Sequence, residues 1–148
     1  MRREIYKNII MASDMHAFEF VSVGKKGHIP KQVLFIPADD PGVYNLEFGD
    51  IKTDGNIDYL VVSDNGDMIK VLATVMQIIE IYTEKYPERA IDFTGSSRER
   101  MRLYRMTIGL HLEELSILFD IYTKKNNALA PFIKNTNASG FLFKRKKS

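Results

Sequence analysis

Hydrophobic and polar positions along the chain predict strands first and helices second. Residues 4–12 mix Ile5, Tyr6, Ile9, Ile10 and Met11 without a clean period, which suits a first strand or a short helix equally. Ala17 to Val23 is β-branched and aromatic-rich, Gly24-Lys25-Lys26-Gly27 offers two glycines for a turn, and Ile29 to Ile36 returns as the second arm of a hairpin. A turn cluster of Pro37, Asp39, Asp40, Pro41 and Gly42 follows. Tyr44, Leu46 and Phe48 then alternate onto one face of a further strand. Ile57 to Val62 predicts a fourth strand, ended by Ser63-Asp64-Asn65-Gly66.

From Asp67 the period changes to 3.6. Met68, Val71, Leu72, Val75, Ile79, Tyr82 and Tyr86 fall at i, i+3, i+4, i+7 spacing and predict a helix over 67–86, with Asp64 or Asn65 as N-cap and Pro87 as its stop. A short strand over 90–93 leads through Thr94-Gly95-Ser96-Ser97 into a second helix from about Arg98 to Leu115. Phe119 to Tyr122 predicts a strand, residues 124–137 a loop around Phe132 and Ile133, and Phe141 to Phe143 a last strand. The expected fold is α+β: an antiparallel-dominated sheet in the order β-β-β-β-α-β-α-β-β with two helices packed on it. Residues 1–148 form one expected domain, with a flexible basic tail at about 144–148.

Length and composition narrow the function classes. A chain of 148 residues, 45% hydrophobic and 27% charged, is an ordinary globular domain. No apolar run approaches the roughly 18 residues of a membrane helix, and no signal peptide is evident, so a membrane partner is not expected. The absence of cysteine removes disulfides and thiolate chemistry and agrees with a reducing cytoplasm. The net charge of +2 conceals segregation: residues 1–38 hold six basic and three acidic residues, 39–67 one and eight, and 68–148 fourteen and eight. The blocks thus carry +3, −7 and +6, as separate basic and acidic surfaces would.

The second helix carries the candidate chemistry. At about 100° per residue, Met101, Tyr104, Ile108, Leu112 and Leu115 form one apolar stripe, and Leu103, Met106, Leu110 and Ile117 another. Between them lie Arg98, Arg102, Arg105 and Gly109; opposite lie Arg100, Thr107, His111 and Glu114. Packing along both flanks would hold the guanidinium groups in a groove, and Gly109, unfavourable inside a helix, hints at a close approach there. Unpaired N–H groups at the helix start, the hydroxyls of Ser96 and Ser97, and Arg98, Arg102 and Arg105 together suit a phosphate or other anion. The competing reading has a serine simply capping the helix and the arginines pairing with the acidic 39–67 segment.

Other constellations are weaker. Asp54, Asn56 and Asp58 have the first spacings of a calcium loop, but Tyr59 and Asn65 stand where glycine and glutamate are required. An irregular cation site could draw only on Asp50, Asp54, Asp58, Asp64 and Asp67. His16, His28 and His111 lie on separate elements, and no phosphate-loop, dinucleotide or serine-hydrolase motif is present, so neither metal nor cofactor is expected. Lys25, Lys26, Lys31 and Tyr122, with Lys124, Lys125 and the basic tail, could line a sheet face that tracks a single nucleic-acid strand, provided they converge.

Tyr44 to Asp50, Asp64 to Asp67 with Lys70 to Val75, and Gly95 to Met106 resemble an uncharacterised bacterial family of small single-domain proteins with a Gly-Ser-x-x-Arg-x-Arg-Leu-Tyr motif. This chain reads Gly-Ser-Ser-Arg-Glu-Arg-Met-Arg-Leu-Tyr, so the family's arginine corresponds to Arg98, Arg100 or Arg102. The resemblance implies no activity. Four strands followed by a helix is also similar to the half-unit of the Whirly and Pur-alpha single-stranded-DNA regulators, at the level of fold only. The leading expectation is a non-enzymatic binding module for single-stranded nucleic acid or a phosphorylated ligand. One alternative is a small hydrolase or nuclease-like toxin using Glu99, Arg98 or His111. The other is a homodimer or larger oligomer whose arginine helix meets its own acidic segment.

Overall fold

The computed structural model describes residues 4–12, 14–58, 65–95 and 97–147. Among them, nine strands form one sheet with three helices: β1 Ile10–Met11, β2 Ala17–Gly24, β3 Gly27–Pro37, β4 Val43–Ile51, β5 Ile57–Asp58, α1 Met68–Lys85, β6 Ala90–Phe93, α2 Arg98–Leu110, α3 Leu112–Leu118, β7 Phe119–Lys125, β8 Ala128–Pro131 and β9 Gly140–Arg145. The strand order is β1-β2-β3-β4-β6-β9-β7-β8, with β5 paired to β4 beside that path. Every pairing is antiparallel except β4 with β6. The fold is the expected α+β class. Of the predicted fourth strand, residues 57 and 58 form β5, and 59–62 lie outside the described residues.

Alternation within the strands sends one row of side chains to the helices. Phe18, Phe20, Val33, Phe35, Leu46, Phe48, Ile91, Phe93, Phe141 and Phe143 are buried on that face. Phe35 stacks on Tyr82 of α1 at 3.8 Å between centroids, and Phe93 on Tyr104 of α2 at 4.0 Å. Aromatic pairs of this kind add about 0.5–1.5 kcal/mol each beyond their buried area. α1 has eight buried hydrophobic residues across its wide stripe, and all but Ala73, among them Val71, Val75, Ile78 and Ile79, join the same cluster.

Several boundaries differ from the sequence reading, each for a local reason. The N-cap position of α1 is Asp67, whose carboxylate makes no capping bond; it accepts instead from Ser22 Oγ at 2.6 Å and from the Tyr6 hydroxyl. Asn65 clasps the β2–β3 turn, donating to Gly27 O at 2.9 Å and accepting from the Lys26 N–H. A Cβ at Gly24 would stand 2.0 Å from Asn65 O, so the clasp requires glycine there. The predicted 98–115 helix breaks at His111 (φ −111°, ψ 16°) into α2 and α3, close to the weak helix former Gly109. β8 falls within the predicted 124–137 loop. Asn126 and Asn127 both take positive φ in a two-residue turn, and Pro131 is tolerated at the end of an edge strand. Lys144 and Arg145, read as the start of a tail, end β9 instead; Arg145 donates to Glu80 O at 2.9 Å and Thr83 Oγ1 at 3.2 Å.

Candidate functional site

β6 runs in the sheet only as far as Phe93, and the chain then turns sharply into α2. The turn is tight because Gly95 lies against the helix it feeds: a Cβ there would come within 2.7 Å of Arg100 Cβ and 3.0 Å of Met101 N. Ser97 caps α2, its Oγ accepting from Arg100 N at 3.2 Å, so its hydroxyl has a structural task. Ser96 lies outside the described residues.

Arg98, Arg102 and Arg105 do line one groove, of about 740 Å³. Ser97 and Met101 complete the helix wall, and Asn137, Ala138 and Ser139 face them from the segment before β9. Arg105 donates to Asn137 Oδ1 at 2.7 Å across the gap. Neither Arg98 nor Arg102, both exposed, takes part in an ion pair among the described residues. Among the described residues the arginine row makes no ion pair with the acidic segment: Asp50 pairs with Lys31, and Asp54 folds back onto Asn56 N at 2.9 Å, a bond that lowers its pKa. Asp67 is engaged by Ser22 and Tyr6, and Asp64 lies outside the described residues.

The flanks of the row differ from the expected pattern. Tyr104, Ile108 and Leu115 are buried, but Met106, Leu110 and Ile117 are exposed, whereas Arg100, Thr107 and His111, placed opposite the arginine row, lie against the protein. The helix rolls this way because its polar groups there find internal use. Thr107 returns its hydroxyl to Leu103 O at 2.8 Å, and the Arg100 guanidinium lies 5.6 Å from the Phe48 ring. Gly109 is not forced by a close approach; a Cβ would meet only the Lys134 side chain at an ordinary 3.5 Å.

Arg100 points into a second cleft that residue patterning alone did not reveal. About 400 Å³ in volume, it opens where β4 continues past the end of β6, and is lined by Asn45, Glu47, Asp92, Thr94, Arg100 and Lys124 among others. The register places Asn45 beside Asp92, with Glu47 two residues further along the same face. Lys124 Nζ reaches Asp92 Oδ2 at 2.5 Å, and Thr94 Oγ1 donates to Asp92 Oδ1 at 2.5 Å. Tyr104 closes the base; burial raises its pKa, with Arg100 opposing the shift and Glu47 adding to it. Asp92 was the available signal: a carboxylate in a four-residue strand that is buried throughout must have a partner.

The second basic surface does not assemble. Lys31 is 1% exposed on the core face and pairs with Asp50, not with solvent. Lys25 and Lys26 occupy the β2–β3 turn, and Tyr122 lies half-buried on β7, four strands away from β3. Phe141 and Phe143 are wholly buried and offer no stacking surface. Among the described residues no helix is long and apolar enough to cross a membrane.

Residues 2–146 match the model of a family described as a family of unknown function (DUF6934). No curated protein and no solved structure matches the chain.

Proposed function

The chain belongs to this family of unknown function, and we propose that it is a single-domain, non-enzymatic binding module of the cytoplasm that holds the phosphates of a single-stranded nucleic acid or other phosphorylated ligand in the arginine groove. One observation carries the reading. Arg98, Arg102 and Arg105 share one open groove with the first turn of α2, and no acidic side chain lines it among the described residues. Guanidinium groups match phosphate geometry bidentately, and the N-terminal N–H groups and helix dipole add attraction for an anion at the same end.

Binding of short single-stranded DNA and RNA, measured by fluorescence anisotropy at two salt concentrations, tests it. Three phosphate contacts on a single strand predict a slope of about −2 in log K against log salt, or roughly a 20-fold loss between about 50 and 200 mM. Replacing Arg98, Arg102 and Arg105 with alanine removes that dependence. Absence of binding at low salt, or binding that the triple variant leaves unchanged, contradicts the proposal.

A further inference from the structure

The cleft at the end of β6 is distinct in chemistry from the arginine groove and adjacent to it, Gly95 lining both. It sits at the carboxyl end of β6, where its parallel neighbour β4 runs on without it, the one parallel pair among the described strands. The ladder stops there, so the side chains of β4 beyond Asn45 on that face stand beside a gap. A volume of about 400 Å³ suits a small planar group. Two glycines keep the walls close: besides Gly95, a Cβ at Gly140 would stand 2.4 Å from Thr94 Oγ1.

The lining is mixed in sign. Glu47 is an acceptor and Asn45 both donor and acceptor, and both are half-buried on the strand face that Asp92 shares. Lys124 gives one N–H to Asp92 and carries two further donors, with its side chain 36% exposed. Arg100, 3% exposed, supplies a second cation at the base. A bare phosphate would meet Glu47 and Asp92 as repulsive neighbours. A neutral group that presents donors and acceptors side by side meets complementary partners.

We infer that this cleft takes the base of a nucleotide whose phosphate lies in the arginine groove, with Glu47 accepting from an exocyclic amine and Lys124 donating to a ring or carbonyl acceptor. The inference rests on the phosphate reading of the groove. It makes the module a reader of amine-bearing bases, in preference to thymine, which has no exocyclic amine.

The test compares homopolymers of dA, dC and dT with an abasic strand of equal phosphate number, on the wild-type chain and on Glu47→Ala, which deletes the acceptor. One base held by such a pair is worth about tenfold in affinity. The abasic strand and dT should bind about tenfold more weakly than the best of dA and dC, and Glu47→Ala should remove that advantage while leaving the salt slope unchanged. Glu47→Leu, which also lacks an acceptor, serves where Glu47→Ala does not fold. Equal binding of abasic and base-bearing strands overturns the inference and leaves the phosphate reading standing. A failure of every strand to bind at low salt overturns both.

Discussion

Two lysine–aspartate pairs cross the sheet, and they serve different ends. Lys31 and Asp50 stand opposite each other on β3 and β4, with the lysine side chain 2% exposed and the carboxylate 13%. Lys124 and Asp92 bridge β7 and β6, with the lysine 36% exposed at the mouth of the cleft. The first pair belongs to a half in which polar groups are spent on each other: Ser22, Asn65, Asp67 and Tyr6 close a network around the β2–β3 hairpin. The second belongs to a half in which the end of β6 leaves a gap, and Arg98, Arg102, Arg105 and Lys124 keep donors turned outward. A charged pair is part of the scaffold where water is excluded from both partners, and part of a site where one partner retains hydrogen-bonding capacity.

That contrast is breakable by mutation, most forcefully at Lys31. Lys31→Met leaves Asp50 buried without its cation and should cost about 3–5 kcal/mol in urea unfolding, with Asp50→Asn in addition recovering part of the loss. Lys124→Met should cost less, about 1–3 kcal/mol, because Asp92 keeps Thr94 and stands near solvent. Equal costs would dissolve the distinction between the halves. Ser97→Ala removes the α2 cap and should cost about 1 kcal/mol, read as a lower urea midpoint at unchanged slope.

Both halves hold tyrosines whose pKa is raised chiefly by burial, Tyr6 and Tyr82 in the first and Tyr104 at the base of the cleft in the second. The folded chain holds these phenolic protons more tightly than the unfolded chain does. The associated stability is therefore complete below the ordinary tyrosine pKa of 10 and is lost as pH rises through the higher folded values. Tyrosinate absorbance should show the three ionising above pH 10 together with unfolding, and Tyr104→Phe should shift the alkaline transition. The smallest change is expected from Arg98→Ala and Arg102→Ala, each within about 0.5 kcal/mol of wild type, since neither exposed side chain is ion-paired among the described residues. A large loss would mean that these arginines hold the fold together.

Much of this was legible in sequence. The β2–β3 hairpin, α1 and β6 announce themselves because their apolar periods are strong and local, and β6 is found at the predicted residues 90–93. The stripe of Arg98, Arg102 and Arg105 follows from helical spacing alone. Its surroundings do not: which flank faces the protein depends on Phe48 and Phe93 from distant strands, and the wheel places Arg100 opposite the row without showing that it is 3% exposed. The cleft is less legible still. Asp92 and Lys124 are 32 positions apart and meet only because β9 pairs between β6 and β7. Lys31 misled for the opposite reason, since a lysine in a strand looks exposed until its register opposite Asp50 is known. Both Lys31 and Asp92 interrupt apolar strands, and that interruption is the signal for a buried partner.

The central claim is positional: phosphate binds in the arginine groove at the start of α2. Amide and arginine side-chain NMR signals, followed during titration with a short single-stranded oligonucleotide at low salt, test it most directly. The account predicts saturable shifts at Gly95, Ser97, Arg98, Arg102 and Arg105 and across the gap at Asn137 to Ser139, with the Lys25–Lys26 turn unmoved. Shifts centred on that turn or on the outer face of β7, or no shifts at all, would contradict it.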